Sequence, residues 1–240
     1  NITDKIVKYS LPLSNTVIEI GPGAGTLTKS ILKSNVNKII LIEKDKSLIK
    51  LLQSLKEKNN SIEIYNKDAL SFPIWKLGSG SREVIANLPY NISTKILINL
   101  LKNSSQFSKL TMMFQKEVAN RIIAKPGSKP YSRLSVITQL KTKTKILFDI
   151  PDTAFFPKPK VQSSLVQFIP YENEKHNFDF EKMEELTRFV FAKKRKMLRT
   201  IFKKEGGSSF LNSINVDPNI RPENLTLEEF CKLEFALRKY

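Results

Sequence analysis

Five short apolar runs alternate with segments of helical spacing through the first half of this chain. The runs are Thr16–Ile20, Lys38–Glu43, Ile62–Tyr65, Arg82–Ala86 and Leu110–Gln115. Their Val, Ile and Leu residues follow one another without polar alternation, the pattern of strands buried on both faces. Helical spacing fills the intervals, with a leading helix over Ile2–Tyr9 and others over Thr26–Lys33, Ser47–Lys58, Thr94–Leu101 and Val118–Ala124. Strands alternating with helices predict a parallel sheet covered on both faces, which binds ligands beyond the carboxyl ends of its strands. Two later runs, Ile146–Ile150 and Ser164–Phe168, add an antiparallel pair. Near Tyr171 the composition turns polar, and from Phe178 only helical patterns follow. The expected architecture is therefore α/β: a Rossmann-like sheet domain over residues 1–170, then a small all-α domain over 171–240. The Gly78-Ser79-Gly80-Ser81 stretch reads as a flexible loop and receives no function.

Polar motifs sit where the first three strands end. Thr16–Ile20 runs into Gly21-Pro22-Gly23-Ala24-Gly25, a turn whose glycines let a ligand approach the backbone closely. It lacks the Gly-Lys-Ser/Thr of a phosphate loop, and Thr26 stands where a dinucleotide fingerprint needs glycine. A purely structural turn fits the same residues. Glu43 closes the second strand, 22 positions after Gly21 (43 − 21). A carboxylate there accepts hydrogen bonds from ribose hydroxyls and repels a phosphate on that ribose. Asp68 closes the third strand, where it can receive an adenine amino group. Either acid alone is an ordinary solvated strand end. Together they suit a phosphate-free adenosine, of which S-adenosylmethionine is the obvious case.

The fourth strand ends in Asn87-Leu88-Pro89-Tyr90. Asn87 offers an amide oxygen, Leu88 a backbone carbonyl and Tyr90 an aromatic face, while Pro89 stiffens the turn. That is equipment for gripping a flat ring that bears an amine. It also reads as a plain strand-to-helix turn with a helix starting at Thr94.

The charge narrows the choice of partner. Forty Lys and Arg against 23 Asp and Glu leave a net charge of +17, which favours a polyanion and disfavours a small-molecule methyl acceptor. Lys-rich usage throughout the chain accounts for part of that excess. A single Cys231 and a single His176 exclude an intramolecular disulfide, a thiolate or His-based metal centre and a Ser-His-Asp triad. No apolar stretch has the length of a bilayer span and no signal peptide is visible, so a soluble intracellular protein is expected. Asn1 is not an initiator, and further residues are expected ahead of it. Between Arg188 and Lys204 stand eight cations: Arg188, Lys193, Lys194, Arg195, Lys196, Arg199, Lys203 and Lys204. With Val190, Phe191, Met197, Leu198, Ile201 and Phe202 they predict one amphipathic helix with a core stripe and a phosphate-binding basic face.

These residues resemble the rRNA adenine dimethyltransferases of the KsgA type, relatives of the Erm enzymes among class I methyltransferases. The matching segments are Glu19–Thr28, Asn66–Leu70, Asn87–Thr94, Phe114–Arg121, Tyr131–Val136, Phe155–Ser163 and Asp217–Leu225, in order along nearly the whole chain. The resemblance implies a cofactor, S-adenosylmethionine, held by Glu19, Gly21, Gly23, Gly25, Glu43, Lys44, Asp68, Ala69 and Asn87. It implies Asn87, Leu88, Pro89 and Tyr90 as catalytic, with Phe155 covering the other face of the base. It implies two methyl transfers to the exocyclic amine of each of two adjacent adenosines near the 3′ end of small-subunit rRNA. Arg188, Lys193, Lys194, Arg195, Lys196 and Arg199 are the expected RNA contacts. The expected setting is cytoplasmic, a monomer acting on a pre-30S particle without membrane association. Family members also carry a Gln-Asn-Phe-Leu-like segment that touches the cofactor ahead of the first helix, and this chain begins after it. The alternatives are an Erm-like enzyme of large-subunit rRNA, which the Asp217–Leu225 block disfavours, and a non-catalytic nucleic-acid-binding factor on the same fold.

Overall fold

A computed structural model describes residues 1–154, 161–172 and 176–238. Among them seven strands form one sheet: β1 (Thr16–Ile20), β2 (Lys38–Glu43), β3 (Ile62–Asn66), β4 (Arg82–Ala86), β5 (Lys109–Gln115), β6 (Thr142–Ile150) and β7 (Ser163–Pro170). The order is β3-β2-β1-β4-β5-β7-β6, with β1–β5 parallel and β7 antiparallel between β5 and β6. The chain reverses its direction of travel across the sheet between β3 and β4. Such a switch point leaves a crevice at the carboxyl ends of the flanking strands.

The apolar runs are strands because both of their faces are buried. Val17, Ile39, Leu41 and Ile85 join a cluster with Ile6 and Val7 of α1 (Ile2–Ser10), Leu27 and Ile31 of α2 (Thr26–Leu32) and Leu52 of α3 (Lys46–Glu57). Their neighbours Ile18, Ile40 and Val84 point the other way and are fully buried as well. Helix α4 (Tyr90–Lys102) packs on β5 and buries Ile96, Leu97, Leu100 and Leu101. It begins four residues ahead of the expected Thr94, directly after Pro89, whose carbonyl accepts from the amides of Ile92 and Ser93. Helix α5 (Lys116–Ile122) follows β5 without a break.

The chain divides into two compact units, Asn1–Ala119 with Thr142–Pro170, and Asn120–Lys141 with Tyr171–Tyr240. A boundary at 170/171 therefore misassigns residues 120–141. They pack in the second unit, where buried Tyr131 meets Phe191 edge-on at 6.0 Å and Arg133 pairs with Glu184. This stretch contains α6 (Arg133–Lys141), a helix without sequence signal, because Ser135, Val136, Ile137, Thr138 and Leu140 are buried around its circumference.

The rest of the second unit is helical: α7 (Phe180–Phe191), α8 (Leu198–Ile201), α9 (Ser208–Ser213) and α10 (Leu227–Leu237). Asp179 caps α7 through the Lys182 amide, and Thr226 with Glu229 forms a reciprocal capping box at α10. The single helix expected across Arg188–Lys204 is not one helix. α7 stops at Phe191, Ala192–Lys196 turns, and α8 restarts at Leu198 with the amides of Leu198 and Arg199 donating to the carbonyls of Ile220 and Pro218. A continuous helix would set Lys193 and Lys196 side by side at i,i+3, and the 217–221 segment takes up the amides of Leu198 and Arg199 that such a helix would use.

Candidate active site

The glycine turn is built by conformation and by its neighbours. Gly21 has φ +68°, and a Cβ there would stand 2.9 Å from the Leu88 side chain. The turn after β1 is thereby held against the end of β4. Gly25 has φ +78°, and a Cβ would strike Leu55 of α3 at 2.6 Å. At Gly23 a Cβ would meet nothing within 4 Å, so the middle of the turn faces open space.

Glu43 holds that turn. Its carboxylate accepts from the amides of Gly23 at 3.1 Å and Asp45 at 2.9 Å, and the residue is only 8% exposed. One acid thus fixes the turn after β1 and the start of α3. Glu19 points into the same region from β1, 1% exposed, and accepts from the Thr28 hydroxyl at 2.6 Å. Burial pushes its carboxyl up to about 7; the Thr28 bond opposes that rise and the Glu43 charge adds to it.

The third acid is fixed from the β3 side. Asp68 accepts from the Leu70 amide at 2.9 Å and pairs with Lys44 at 2.8 Å. The Lys44 bond, then the Leu70 amide, hold its carboxyl below the usual range. Lys44 is spent on this pair with its side chain 76% exposed, so it offers no phosphate cradle. Ala69 follows, half-buried. Asn66 carries no distinctive sequence signal of its own, yet its amide donates to the carbonyls of Glu43 and Lys44 at 2.9 and 3.1 Å and ties the ends of β2 and β3 together.

At the end of β4, Leu88 is buried, Asn87 and Tyr90 are half-buried and Pro89 is exposed. No hydrogen bond within the described residues uses the Asn87 side chain. The Tyr90 ring packs against the cluster under the sheet, and its hydroxyl bonds the Ser163 hydroxyl at 2.6 Å. Ser163 lies 73 residues away on β7, so no local pattern announces that partner. Phe155 lies outside the described residues.

The residues present fit an adenosine without phosphates. Glu43 holds the open glycine turn, Asp68 and Asn87 follow the ends of β3 and β4, and Lys44 is already paired with Asp68. Among the described residues no group of His, Cys, Asp and Glu could hold a metal ion.

The predicted RNA contacts are spread over α7, the following turn and α8. Arg188 approaches Glu184 at 3.7 Å, Lys193 sits 3.7 Å above the Phe189 ring, and Lys194 reaches Glu223 at 3.4 Å and the Lys129 carbonyl at 3.1 Å. Arg199 donates to Asn219. Arg195 and Lys196 are exposed and take part in no ion pair among the described residues.

The family model described as ribosomal RNA adenine dimethylase matches residues 1–239. Two curated proteins named ribosomal RNA small subunit methyltransferase A are close in sequence. That of Ehrlichia ruminantium is 40% identical over 237 residues, 97% of this chain and 90% of its own length. That of Wolbachia sp. subsp. Drosophila simulans is 44% identical over 236 residues, 97% of this chain and 87% of its own. Among solved structures, a dimethyladenosine transferase from Plasmodium falciparum superposes with a TM-score of 0.84 at 29% identity, covering 99% of this chain and 95% of that one. The 23S rRNA methyltransferase ErmE shares the fold, with a TM-score of 0.71 at 20% identity over 99% and 97%.

Proposed function

The chain belongs to the ribosomal RNA adenine dimethylase family, and from that premise we propose how its residues carry out adenine dimethylation. It is an S-adenosylmethionine-dependent rRNA adenine dimethyltransferase of the Rossmann-like methyltransferase fold. Its substrate is small-subunit rRNA, as the names of its curated relatives support. The finer reading is that two adjacent adenosines in the 3′-terminal loop are dimethylated at N6, on a pre-30S particle, by a monomer. No helix among the described residues is long and apolar enough to cross a membrane.

The observation that carries the chemistry is Asn87. Its side-chain amide makes no hydrogen bond among the described residues and stands at the end of a buried strand, next to Leu88, which packs against Gly21 of the glycine turn. The bound cofactor supplies a methyl group carried on a sulfonium. Glu43, with the opened turn at Gly23, would hold its ribose, and Asp68 its adenine amine.

The chain's own work is on the acceptor base. An adenine amine is a weak nucleophile because its lone pair is delocalised into the ring. In the first transfer Asn87 Oδ1 and the Leu88 carbonyl, by accepting the two N6 hydrogens, draw the nitrogen toward a tetrahedral shape and localise that pair; in the second, one of them holds the single hydrogen that remains. Tyr90, held by Ser163, presents a ring on which the base stacks, an interaction worth about 1–3 kcal/mol. Catalysis then rests on positioning, consistent with a chain whose one histidine, His176, lies outside the sheet.

The decisive test supplies tritiated S-adenosylmethionine to undermethylated small subunits, large subunits and free rRNA in parallel. Label is expected in adenosines of the small subunit. Label confined to the large subunit overturns the substrate reading.

A further inference from the structure

A second patch of cations and aromatic rings lies in the first unit, built on α1 and β6. Lys5, Lys8 and Tyr9 are spaced i, i+3, i+4 and share one face of α1. The Lys5 ammonium stands 4.2 Å from the centre of the Phe148 ring, and the Tyr9 ring lies 4.9 Å from the same centre. Tyr9 is braced on one side by this contact and is still 44% exposed.

The register of the sheet edge extends the patch. On β6, Phe148 pairs with Leu165, Lys145 with Gln167 and Lys143 with Ile169. Leu165, Gln167 and Ile169 alternate along β7 and share one face, and Leu165 lies in the cluster that contains Ile6 and Val7 of α1. Cross-strand partners point to the same face, so Lys143 and Lys145 stand on the α1 side with Phe148. The acids of both elements are engaged elsewhere. Asp149 points away, to Lys116 at 2.7 Å and Ser164 at 2.7 Å, while Asp4 is held by Ser30 at 2.8 Å and Lys33 at 3.2 Å. Lys8, Lys143 and Lys145 are exposed and form no ion pair among the described residues.

We propose that this face is a second RNA-contact surface, on which an unstacked base lies against Tyr9 while Lys5, Lys8, Lys143 and Lys145 meet the neighbouring phosphates. A braced, half-open ring within a field of cations is the arrangement by which proteins grip single-stranded nucleic acid without reading its sequence. An apolar protein partner would leave four ammonium groups facing it without counter-charges; a phosphate backbone supplies them. The inference rests on the rRNA reading above for the identity of the ligand.

The test uses Tyr9→Ala, Tyr9→Trp and the pair Lys143→Gln/Lys145→Gln in the full chain. Each is measured for binding to a free 3′-terminal rRNA fragment and to undermethylated small subunits, with thermal melting as a control for folding. Tyr9→Ala is expected to weaken binding of the free fragment by about fivefold or more, raising KM while leaving kcat and cofactor affinity unchanged. Tyr9→Trp, which keeps a stacking face, is expected to bind like the wild type. The double Gln variant is expected to flatten the salt dependence by about 1.4 in log–log slope, about 0.7 for each lost phosphate contact on a single strand. Unchanged fragment affinity and slope in both variants overturns the proposal. Weaker particle binding with unchanged fragment binding also overturns it and makes the face a protein-docking surface. Failure of the substrate reading shows separately, as absence of small-subunit label with the wild-type protein.

Discussion

The ends of β1–β3 and the cationic stretch Arg188–Arg199 are both clusters of charge, and they are held in opposite ways. Glu19 and Glu43 are buried at the ends of buried strands; Thr28 holds the first and two backbone amides the second. Arg195 and Lys196 stand in a turn with their side chains in solvent. The first cluster is shaped before any ligand arrives. The second keeps its freedom; in its proposed RNA-binding role it attracts a polyanion by field, which demands little geometry. A small ligand whose atoms must be placed to a fraction of an ångström needs the first kind of holding, and a flexible phosphate chain tolerates the second.

The sharpest challenge to this contrast is at Asn87. Asn87→Ala is expected to lower kcat by about 10²–10³-fold, in line with loss of one preorganised polar group at a reacting centre, with a smaller loss of cofactor affinity. Turnover within a few-fold of wild type would remove the acceptor role and leave the β4 end a mere turn.

Next in size is the cost of holding an acid so tightly. In the folded protein the Glu19 carboxyl binds its proton up to about pH 7, against an ordinary value of 4.5. Folding is therefore favoured by this group fully below about pH 4.5, and that contribution is lost as pH rises through about 7. The gap corresponds to about 3 kcal/mol as an upper bound. Glu19→Gln keeps an acceptor for Thr28 and removes the titration. The variant should be more stable than wild type toward denaturant at pH 8 and nearly equal to it at pH 4.5. Equal stability at both values would mean that Glu19 is better solvated than its burial indicates.

The smallest effects belong to the cationic stretch. Arg195→Ala/Lys196→Ala is expected to reduce rRNA affinity several-fold and to flatten its salt dependence. Lys194→Ala and Arg199→Ala, whose heads are engaged by Glu223 and Asn219, should change that slope less and cost at most about 1 kcal/mol of stability. Equal slopes for all four positions would erase the distinction between free and engaged cations.

The same physics decides what could be read from the sequence. Strands buried on both faces announce themselves through unbroken runs such as Lys38–Glu43, and acids that close such runs fall at the carboxyl edge whatever the loops do. The candidate site read in this way comprises the glycine turn, Glu43 and Asp68; Glu19 enters it only through the family resemblance. Ser163 falls in a family-matching segment, but its pairing with Tyr90 is not readable from the sequence, because the two meet only once β7 inserts beside β5. Asn66 opens a family-matching segment, but its bridging role is not readable there, because its partners are backbone carbonyls at the end of another strand. α6 has no period to detect, being buried around its circumference. The break after Phe191 has no sequence signal, because apolar spacing continues through Met197, Leu198 and Ile201, while the Leu198 and Arg199 amides are claimed by carbonyls some twenty residues onward.

The Asn66 bridge between the β2 and β3 ends has a consequence for selectivity. Because its amide grips the Glu43 and Lys44 carbonyls, the carboxylates closing those two strands are separated by a distance that the sheet sets, with neighbouring strands about 4.8 Å apart. Under the roles proposed for Glu43 and Asp68, the sheet edge works as a ruler graduated in strand spacings, one mark for a sugar and the next for a base. Its calibration is insensitive to surface substitution and would drift only if the register of β2 on β3 slipped.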